Sequence, residues 1–202
     1  MQHDFLSLSD LTTFIEAVNS DVTLNNSYDT ERFESHLVKP SELTEDVLYQ
    51  LADLVDKKTQ FTDPAVNKPD PELNIASVDR ISNSLCVAYI TEEGIPVAVA
   101  TLVDPTIENY KGVIPKDLYS VKSAVNLENR LQQEYFVVAE EYKGLGLSGA
   151  LRSLLEKVSP NMFVTVSVND NDTLQGVAKN NYQKISQFDT DWDNAPVELW
   201  LN

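Results

Sequence analysis

The sequence predicts an α/β (α+β) fold, a β-sheet flanked by helices, and three observations support this. The hydrophobic period changes from strand-like to helix-like within residues 135–158, and two glycines mark the change. Two apolar runs within residues 85–103 flank a short turn, which is typical of a β-hairpin. Strand and helix patterns then alternate from residue 131 onwards. The predicted order is therefore strand, two helices, two strands in a hairpin, strand, helix, strand, helix and two closing strands.

The first part of the chain is predicted to be mainly helical. Residues 1–31 form a helical extension, because Ser9 can cap a helix whose apolar positions share one face. The remaining residues, 32–202, form one domain. Its first elements are a strand at 33–38 closed by Pro40, an amphipathic helix over 43–55 capped by Ser41 or Thr44, a loop at 57–71 that contains three prolines, and a shorter helix at 73–81.

The second part of the chain is predicted to alternate strands and helices. Pro96 lies near the start of the return strand of the hairpin and indicates an edge or a bulge there. The connection at 104–130 is long, and we expect either a specificity loop or a packing flap. The elements are strands at 85–90 and 95–103 around a turn at 91–94, a strand at 131–139 with a helix after it, a strand at 162–168, a helix that residues 169–172 can cap and that carries Leu174, Val177, Ala178 and Tyr182 on one side, and strands at 185–192 and 197–201.

Composition and charge restrict the classes of function. The chain has 202 residues, 42% of them hydrophobic, which is enough for one substantial core. A formal net charge of −17 disfavours a nucleic-acid-binding face, since affinity for phosphate backbones comes from Lys and Arg. Residues 105–160 hold seven basic and seven acidic side chains, so the rest of the chain carries the excess charge. The acidic remainder would attract cationic substrates, or it only maintains solubility.

Cysteine, histidine and apolar runs point to a cytoplasmic protein without a metal. The single cysteine, Cys86, cannot form an internal disulfide and is read as a buried core residue in a reducing compartment. The N-terminus lacks the basic start of a secretory signal, and no apolar run is long enough to cross a membrane. His3 and His36 are isolated, so no zinc site is predicted.

Residues 143–148, with the sequence KGLGLS, connect a buried strand to a leucine-rich helix. A strand that passes through glycines directly into a helix leaves several backbone N–H groups without partners, all pointing the same way. The segment therefore predicts an anion site that suits a phosphate. A Rossmann fingerprint would require a βαβ repeat downstream, and a P-loop would require Gly-Lys-Ser/Thr; neither is present. The helix that follows should bury Leu147, Leu151, Leu154, Leu155 and Val158.

Together with residues 138–142 before it and the helix after it, this segment resembles the acetyl-CoA motif of the GCN5-related N-acetyltransferases (GNAT). The family pattern is Gln or Arg, two free residues, Gly, one free residue, then Gly or Ala. Lys143 and Ser148 depart mildly from it. A second stretch, residues 164–188, is loosely similar to another family segment, with an extra residue after Lys184. The resemblance implies a mixed, mostly antiparallel central sheet that is flanked by helices and split near its middle.

The resemblance also implies a function. A GNAT-like enzyme would transfer an acetyl or other acyl group from acetyl-CoA to a primary amine by direct attack on the thioester. The acceptor would be an amine-bearing small molecule or protein, and a homodimer is plausible. The alternative is a GNAT-like module that has lost catalysis and serves in binding or assembly. Neither reading needs a metal, a nucleic acid or a membrane.

The family motifs assign roles to particular residues. Glu134 is the candidate general base, and Tyr182 matches the tyrosine that protonates the leaving thiolate. The structural alternatives are a salt bridge or plain exposure for Glu134, and a core tyrosine on the apolar side of a helix for Tyr182. Asn169 matches an asparagine near the pantetheine arm, or it only caps a helix. The implied cofactor-binding positions are Phe136, Val137 and Val138 for the arm, and Lys143, Gly144, Leu145, Gly146, Leu147 and Ser148 for the diphosphate.

Overall fold

The computed structural model describes residues 29–62, 71–104, 130–189 and 196–202. The helix predicted in the extension, and all but the ends of the connection predicted at 104–130, lie outside these residues. The helices of the described part are α1 (Glu45–Thr62), α2 (Pro71–Ser82), α3 (Leu147–Val158) and α4 (Asn171–Lys179). Its strands are β1 (Phe33–Val38), β2 (Cys86–Glu92), β3 (Ile95–Val103), β4 (Leu131–Val138), β5 (Met162–Ser167), β6 (Gln183–Asp189) and β7 (Pro196–Leu201).

The strands form one mixed sheet in the order β1-β2-β3-β4-β5-β7-β6. β2 pairs antiparallel with β1 and β3, and β7 pairs antiparallel with β5 and β6. β4 runs parallel to β5, and their register joins Leu131 to Met162 and Gln132 to Phe163. A parallel neighbour requires a crossover connection, and helix α3 lies in the chain between these two strands. The predicted mixed, mostly antiparallel sheet is confirmed.

The chain divides into two compact units, and the division falls within β4. In the described part, the first unit holds β1–β3 up to residue 102, helices α1, α2 and α3, and residues 134–138 of β4. Its core joins α1 and α2 to β2, β3 and β4 through Leu51, Val55, Ile81, Val99 and Val137, each at most 5% exposed. Helix α3 contacts β1 and β2. It buries all five of its predicted apolar residues, which confirms the predicted face.

The second unit holds residues 131–133 of β4, together with β5, α4, β6 and β7. Its core is smaller, and α4 packs on the sheet through Val177, beside Val164, Val166 and Tyr182. The side chain of Asp170 caps α4 by accepting the Thr173 N–H at 3.0 Å, as the 169–172 prediction allowed.

The hairpin between β2 and β3 turns at Glu93 and Gly94, which both have positive φ (51° and 81°). Two consecutive residues of this kind form the tight turn whose twist suits a two-residue hairpin. The predicted irregularity near Pro96 is confirmed as a bulge, because Ile90 pairs with Ala98 while Thr91 pairs with Pro96. A second bulge between Lys184 and Ser186 accommodates the extra residue of β6.

Several predicted boundaries were wrong. The turn predicted at 91–94 is shorter because β2 continues to Glu92, and α2 begins at Pro71, two residues before its predicted start. The loop predicted to begin at Lys57 is still helix, since α1 continues to Thr62 and Lys57 pairs with Asp53 one turn earlier at 2.6 Å. Strand β6 begins at Gln183, two residues before its predicted start. Tyr182 is not part of α4, because the helix ends at Lys179. None of the helices in the described part is long and apolar enough to span a membrane.

Cys86 lies fully buried in β2, and burial raises the pKa of its thiol to about 12. Because the thiolate is the reactive form, we expect the native protein to resist a thiol reagent such as DTNB at mildly alkaline pH. The same protein should react at once in denaturant. Fast labelling under native conditions would show that β2 opens readily and would contradict this packing.

Candidate functional site

The segment between β4 and α3 is built to leave backbone N–H groups free. A single 3-10 turn, Glu140–Tyr142, follows β4, and the chain then passes through Gly144 and Gly146 at φ of 80° and 82°. Side chains disfavour this left-handed region, so glycine is needed at both positions. Helix α3 begins immediately afterwards at Leu147. The anion loop, residues 143–149, therefore takes the strand–glycine–helix form that the sequence predicts.

Within the part of the chain that the structure describes, five N–H groups of the anion loop have no protein acceptor. Two belong to its glycines, and three belong to the first turn of α3, where no intrahelical partner exists. Neighbouring groups are bonded: the Leu145 N–H donates to the Tyr142 carbonyl at 3.4 Å, and the Ala150 N–H donates to the Gly146 carbonyl at 3.2 Å. The five free donors are those of Gly144, Gly146, Leu147, Ser148 and Gly149.

The donors of the anion loop act together with the positive end of the α3 dipole. Lys143, at the position where the family has Gln or Arg, is held by Glu140 through an ion pair at 2.7 Å. Glu140, just before the loop, therefore offsets part of the Lys143 charge at an exposed position. Anion binding here would depend on neutral backbone donors, as it does at phosphate sites on helix N-termini. Residues 144, 145 and 146 are at least partly exposed, so a ligand can reach them.

The strand that leads to the anion loop carries Glu134 and a backbone irregularity beside it. Tyr135 has φ of 46°, which is unusual for a residue with a side chain and marks local strain. The carbonyl of Glu134 accepts a hydrogen bond from the Thr101 hydroxyl of β3 at 3.2 Å. Glu134 and Phe136 are half-buried, and Val137 is buried in the core of the first unit. Farther along, the Ala139 N–H donates to the Val97 carbonyl of β3 at 2.9 Å.

A polar cluster that the sequence did not reveal lies on the α1–α2 side of this strand. Arg80 of α2 donates to the Tyr135 hydroxyl at 3.3 Å, and Ser77 of α2 donates to the buried carboxylate of Asp56 in α1 at 2.5 Å. Burial raises the pKa of Tyr135, and the Arg80 guanidinium works in the opposite direction. Tyr135 therefore stays a neutral phenol at physiological pH. The only sequence signal for the cluster was polar Asp56 and Ser77 on helix faces that are otherwise apolar.

In the second unit, the backbone after α4 fixes Tyr182. Asn181 has φ of 62°, and the Tyr182 N–H donates back to the Val177 carbonyl at 3.2 Å, which is the Schellman ending of a helix. This ending packs the Tyr182 ring against Val177 in the core of the unit. The Tyr182 hydroxyl is buried and donates to Oε1 of Gln133 in β4 at 2.9 Å.

The second unit also contains Gln132 and Asn169, two polar residues near the ends of β4 and β5. Gln132, next to Gln133 in the chain, is 2% exposed, and its Oε1 has no hydrogen-bond partner in the described structure. Asn169 follows β5, and its N–H donates to the Ser167 hydroxyl at 3.3 Å. Asp170 rather than Asn169 supplies the helix cap, so capping does not account for Asn169.

Within the described ranges, no group of three or more His, Cys, Asp or Glu side chains is placed to hold a metal ion.

The first unit brings together the anion loop and the strand residues predicted for the cosubstrate arm, Phe136, Val137 and Val138. Glu134 belongs to the same unit, at the start of its part of β4. Tyr182 and Asn169 belong to the second unit, where Tyr182 contacts Gln133. The sequence missed Gln133 as the partner of Tyr182, since the two residues are 49 positions apart.

No protein-family model and no curated protein sequence matches the chain. Solved structures do match. An acetyltransferase of the GNAT family from Streptococcus agalactiae 2603 is 15% identical with a TM-score of 0.57, over 88% of this chain and 98% of that one. An acyl-CoA N-acyltransferase from Pseudomonas aeruginosa is 14% identical with a TM-score of 0.55, over 84% and 99%. ElaA from Escherichia coli is 14% identical with a TM-score of 0.52, over 84% and 99%. The chain therefore has the GNAT fold.

Proposed function

We propose that this GNAT-fold chain is an N-acyltransferase that moves an acyl group, acetyl in the simplest case, from acetyl-CoA to a primary amine. The observation that carries the proposal is the set of five free N–H donors in the anion loop, at the start of α3 and directly after β4. A diphosphate is the anion that can use several such donors at once. Structural neighbours with the same fold include acetyltransferases and an acyl-CoA N-acyltransferase, which supports this choice of ligand.

The chemistry sets three requirements on the chain. An amine with a pKa of about 10.4 must lose a proton before its nitrogen can attack the thioester carbon. We assign this proton to the Glu134 carboxylate, directly or through water. The carbonyl oxygen then gains negative charge, for which a backbone donor such as the Val138 N–H is suited. When the C–S bond breaks, the sulfur must take a proton, and we assign Tyr182 as the donor; the second proton that the nitrogen loses on becoming an amide restores the Tyr182 hydroxyl.

The remaining site residues hold the cosubstrate. The backbone of Phe136, Val137 and Val138 would bind the pantetheine arm, with Asn169 as a further polar contact. The acceptor amine is carried by a small molecule or a protein, and the acidic composition of the chain favours a cationic one.

One observation favours a second candidate function, a binding or assembly module without catalysis. The Tyr182 hydroxyl donates its hydrogen bond to Gln133 in a buried pair. A tyrosine held in this way is a sufficient explanation for the core of the second unit, and it need not supply a proton to a thiolate.

A thermal-shift titration separates the two candidates. A ligand that binds only the native state stabilises it by about 2.7 kcal/mol at a hundred times its Kd, so acetyl-CoA should raise Tm as its concentration increases. Thiol release in the presence of an amine series then tests transfer. A Tm unaffected by millimolar acetyl-CoA would reject the enzyme. A rise in Tm without thiol release from any amine would favour the module.

A further inference from the structure

Arg32, Glu92 and Tyr142 form a cluster that anchors the chain just before the anion loop. The Glu92 carboxylate at the end of β2 accepts the Tyr142 hydroxyl at 2.5 Å and also the Arg32 Nε–H. The Arg32 guanidinium lies 4.8 Å from the centre of the Phe33 ring and 5.8 Å from that of Tyr142. These two rings meet edge to face, with centres 6.0 Å apart. We call Arg32, Glu92 and Tyr142 the turn anchor.

Each member of the turn anchor is itself fixed. Asp29 accepts the backbone N–H of Glu31 and of Arg32 at 3.0 and 3.3 Å, which orients the segment before β1. Glu92 lies beside the tight hairpin turn. Hydrogen bonds from Arg32 and Tyr142 lower the pKa of Glu92, so it remains an acceptor for both at neutral pH.

One member of the turn anchor, Tyr142, directly precedes the anion loop in the chain. Tyr142 ends the 3-10 turn, and its carbonyl accepts the Leu145 N–H at 3.4 Å between the two positive-φ glycines. The Gly144 Cβ position faces open space, so packing around that residue does not restrain it. The bond from the Tyr142 hydroxyl to Glu92 therefore restrains the chain just before the anion loop. The glycines of the loop have no side chains that could restrain it themselves.

We propose that the turn anchor positions the anion loop for its diphosphate ligand, with Glu92 and Tyr142 as positioning residues that do not touch the ligand themselves. This rests on the proposed function. A loop held in its binding geometry before the ligand arrives loses less conformational freedom on binding, and its affinity is higher for that reason. Releasing the anchor should weaken diphosphate binding while leaving the thioester chemistry of bound substrate unchanged.

The test compares Tyr142→Phe with wild type against two ligands. Loss of this partly exposed hydrogen bond should raise the Kd of coenzyme A and the KM of acetyl-CoA by about threefold, with kcat at saturation unchanged. S-Acetyl-pantetheine lacks the diphosphate, so its kcat/KM should not change. Glu92→Gln, which keeps an acceptor but loses the charge, should give a smaller effect. Tyr49→Phe is the matched control, because Tyr49 is an exposed tyrosine of α1.

A measurement without ligand makes the test independent of the assigned reaction. Hydrogen exchange of the Leu145 and Ala150 amides, which are the hydrogen-bonded ones beside the free donors, should speed up about threefold in Tyr142→Phe, whereas exchange in the middle of α3 should not change. If wild type binds coenzyme A, and Tyr142→Phe matches it in both affinity and amide exchange, the inference is overturned and the proposed function stands. If wild type fails to bind coenzyme A, the proposed function falls, and exchange alone decides whether the anchor holds the loop.

Discussion

Gly149→Asp is expected to stabilise the protein and, at the same time, to weaken binding of coenzyme A by about a hundredfold or more. Gly149 is the third residue of α3, and a Cβ placed on it meets no atom within 4 Å. Replacing a helical glycine by alanine gains about 0.5–1 kcal/mol, although aspartate gains less because its own helix propensity is low. A carboxylate in the first turn adds about 0.3–1 kcal/mol through the helix dipole.

The same carboxylate would lie beside the free donors that the diphosphate requires. Two unit charges 4 Å apart near a protein surface repel by about 4 kcal/mol, so affinity for coenzyme A should fall by about a hundredfold or more. Gly149→Asn is the matched control, since it has the same shape without the charge, and Gly149→Ala reports the effect of the helix alone. Urea unfolding and calorimetric titration measure the two quantities. An aspartate variant that binds coenzyme A as tightly as the asparagine variant would place the diphosphate elsewhere.

Tyr182→Phe is expected to lower kcat by about a hundredfold or more, the usual contribution of a general acid. It should also lower stability, because Gln133 loses the hydroxyl that its Oε1 accepts in a buried site. A buried polar group without a partner costs about 1–3 kcal/mol. Reduced activity in this variant alone could thus arise from either cause.

The double variant Tyr182→Phe/Gln133→Met separates the causes. Replacing both polar partners by apolar groups of similar size is close to neutral for stability, so the free energy of unfolding should return towards the wild-type value. The kcat should stay low if Tyr182 protonates the thiolate. Recovery of both quantities in the double variant would identify Tyr182 as a core residue and would leave the acid to be found elsewhere. Gln133→Met alone shows what the loss of the amide does.

Elements with strong local signals were predicted correctly. Strand β1 has its predicted bounds, since Pro40 follows it closely and ends the segment, and the leucine face of α3 follows from a regular helical period. The glycines of the anion loop could be assigned because a turn between strand and helix needs their positive φ. For these elements, neighbours in the chain decide the structure.

The errors arose where distant contacts or weak periods decide. Residues after Lys57 carry few apolar side chains, so nothing in the sequence distinguished the last turns of α1 from a loop. Tyr182 continues the apolar period of α4, but Asn181 adopts a left-handed conformation and ends the helix first. The Glu92–Tyr142 contact joins residues 50 positions apart, and no local pattern indicates such a pair.

The pairing of Lys143 with Glu140 has a consequence for how the cosubstrate would approach. The chain carries a net charge of −17, and coenzyme A is itself a polyanion, so at long range the two repel each other. At 0.1 M salt, charges more than about 10 Å apart are largely screened from each other, while short contacts to neutral amides are affected far less. Encounter should therefore become faster as ionic strength rises, which is the reverse of the behaviour of sites built from lysine and arginine.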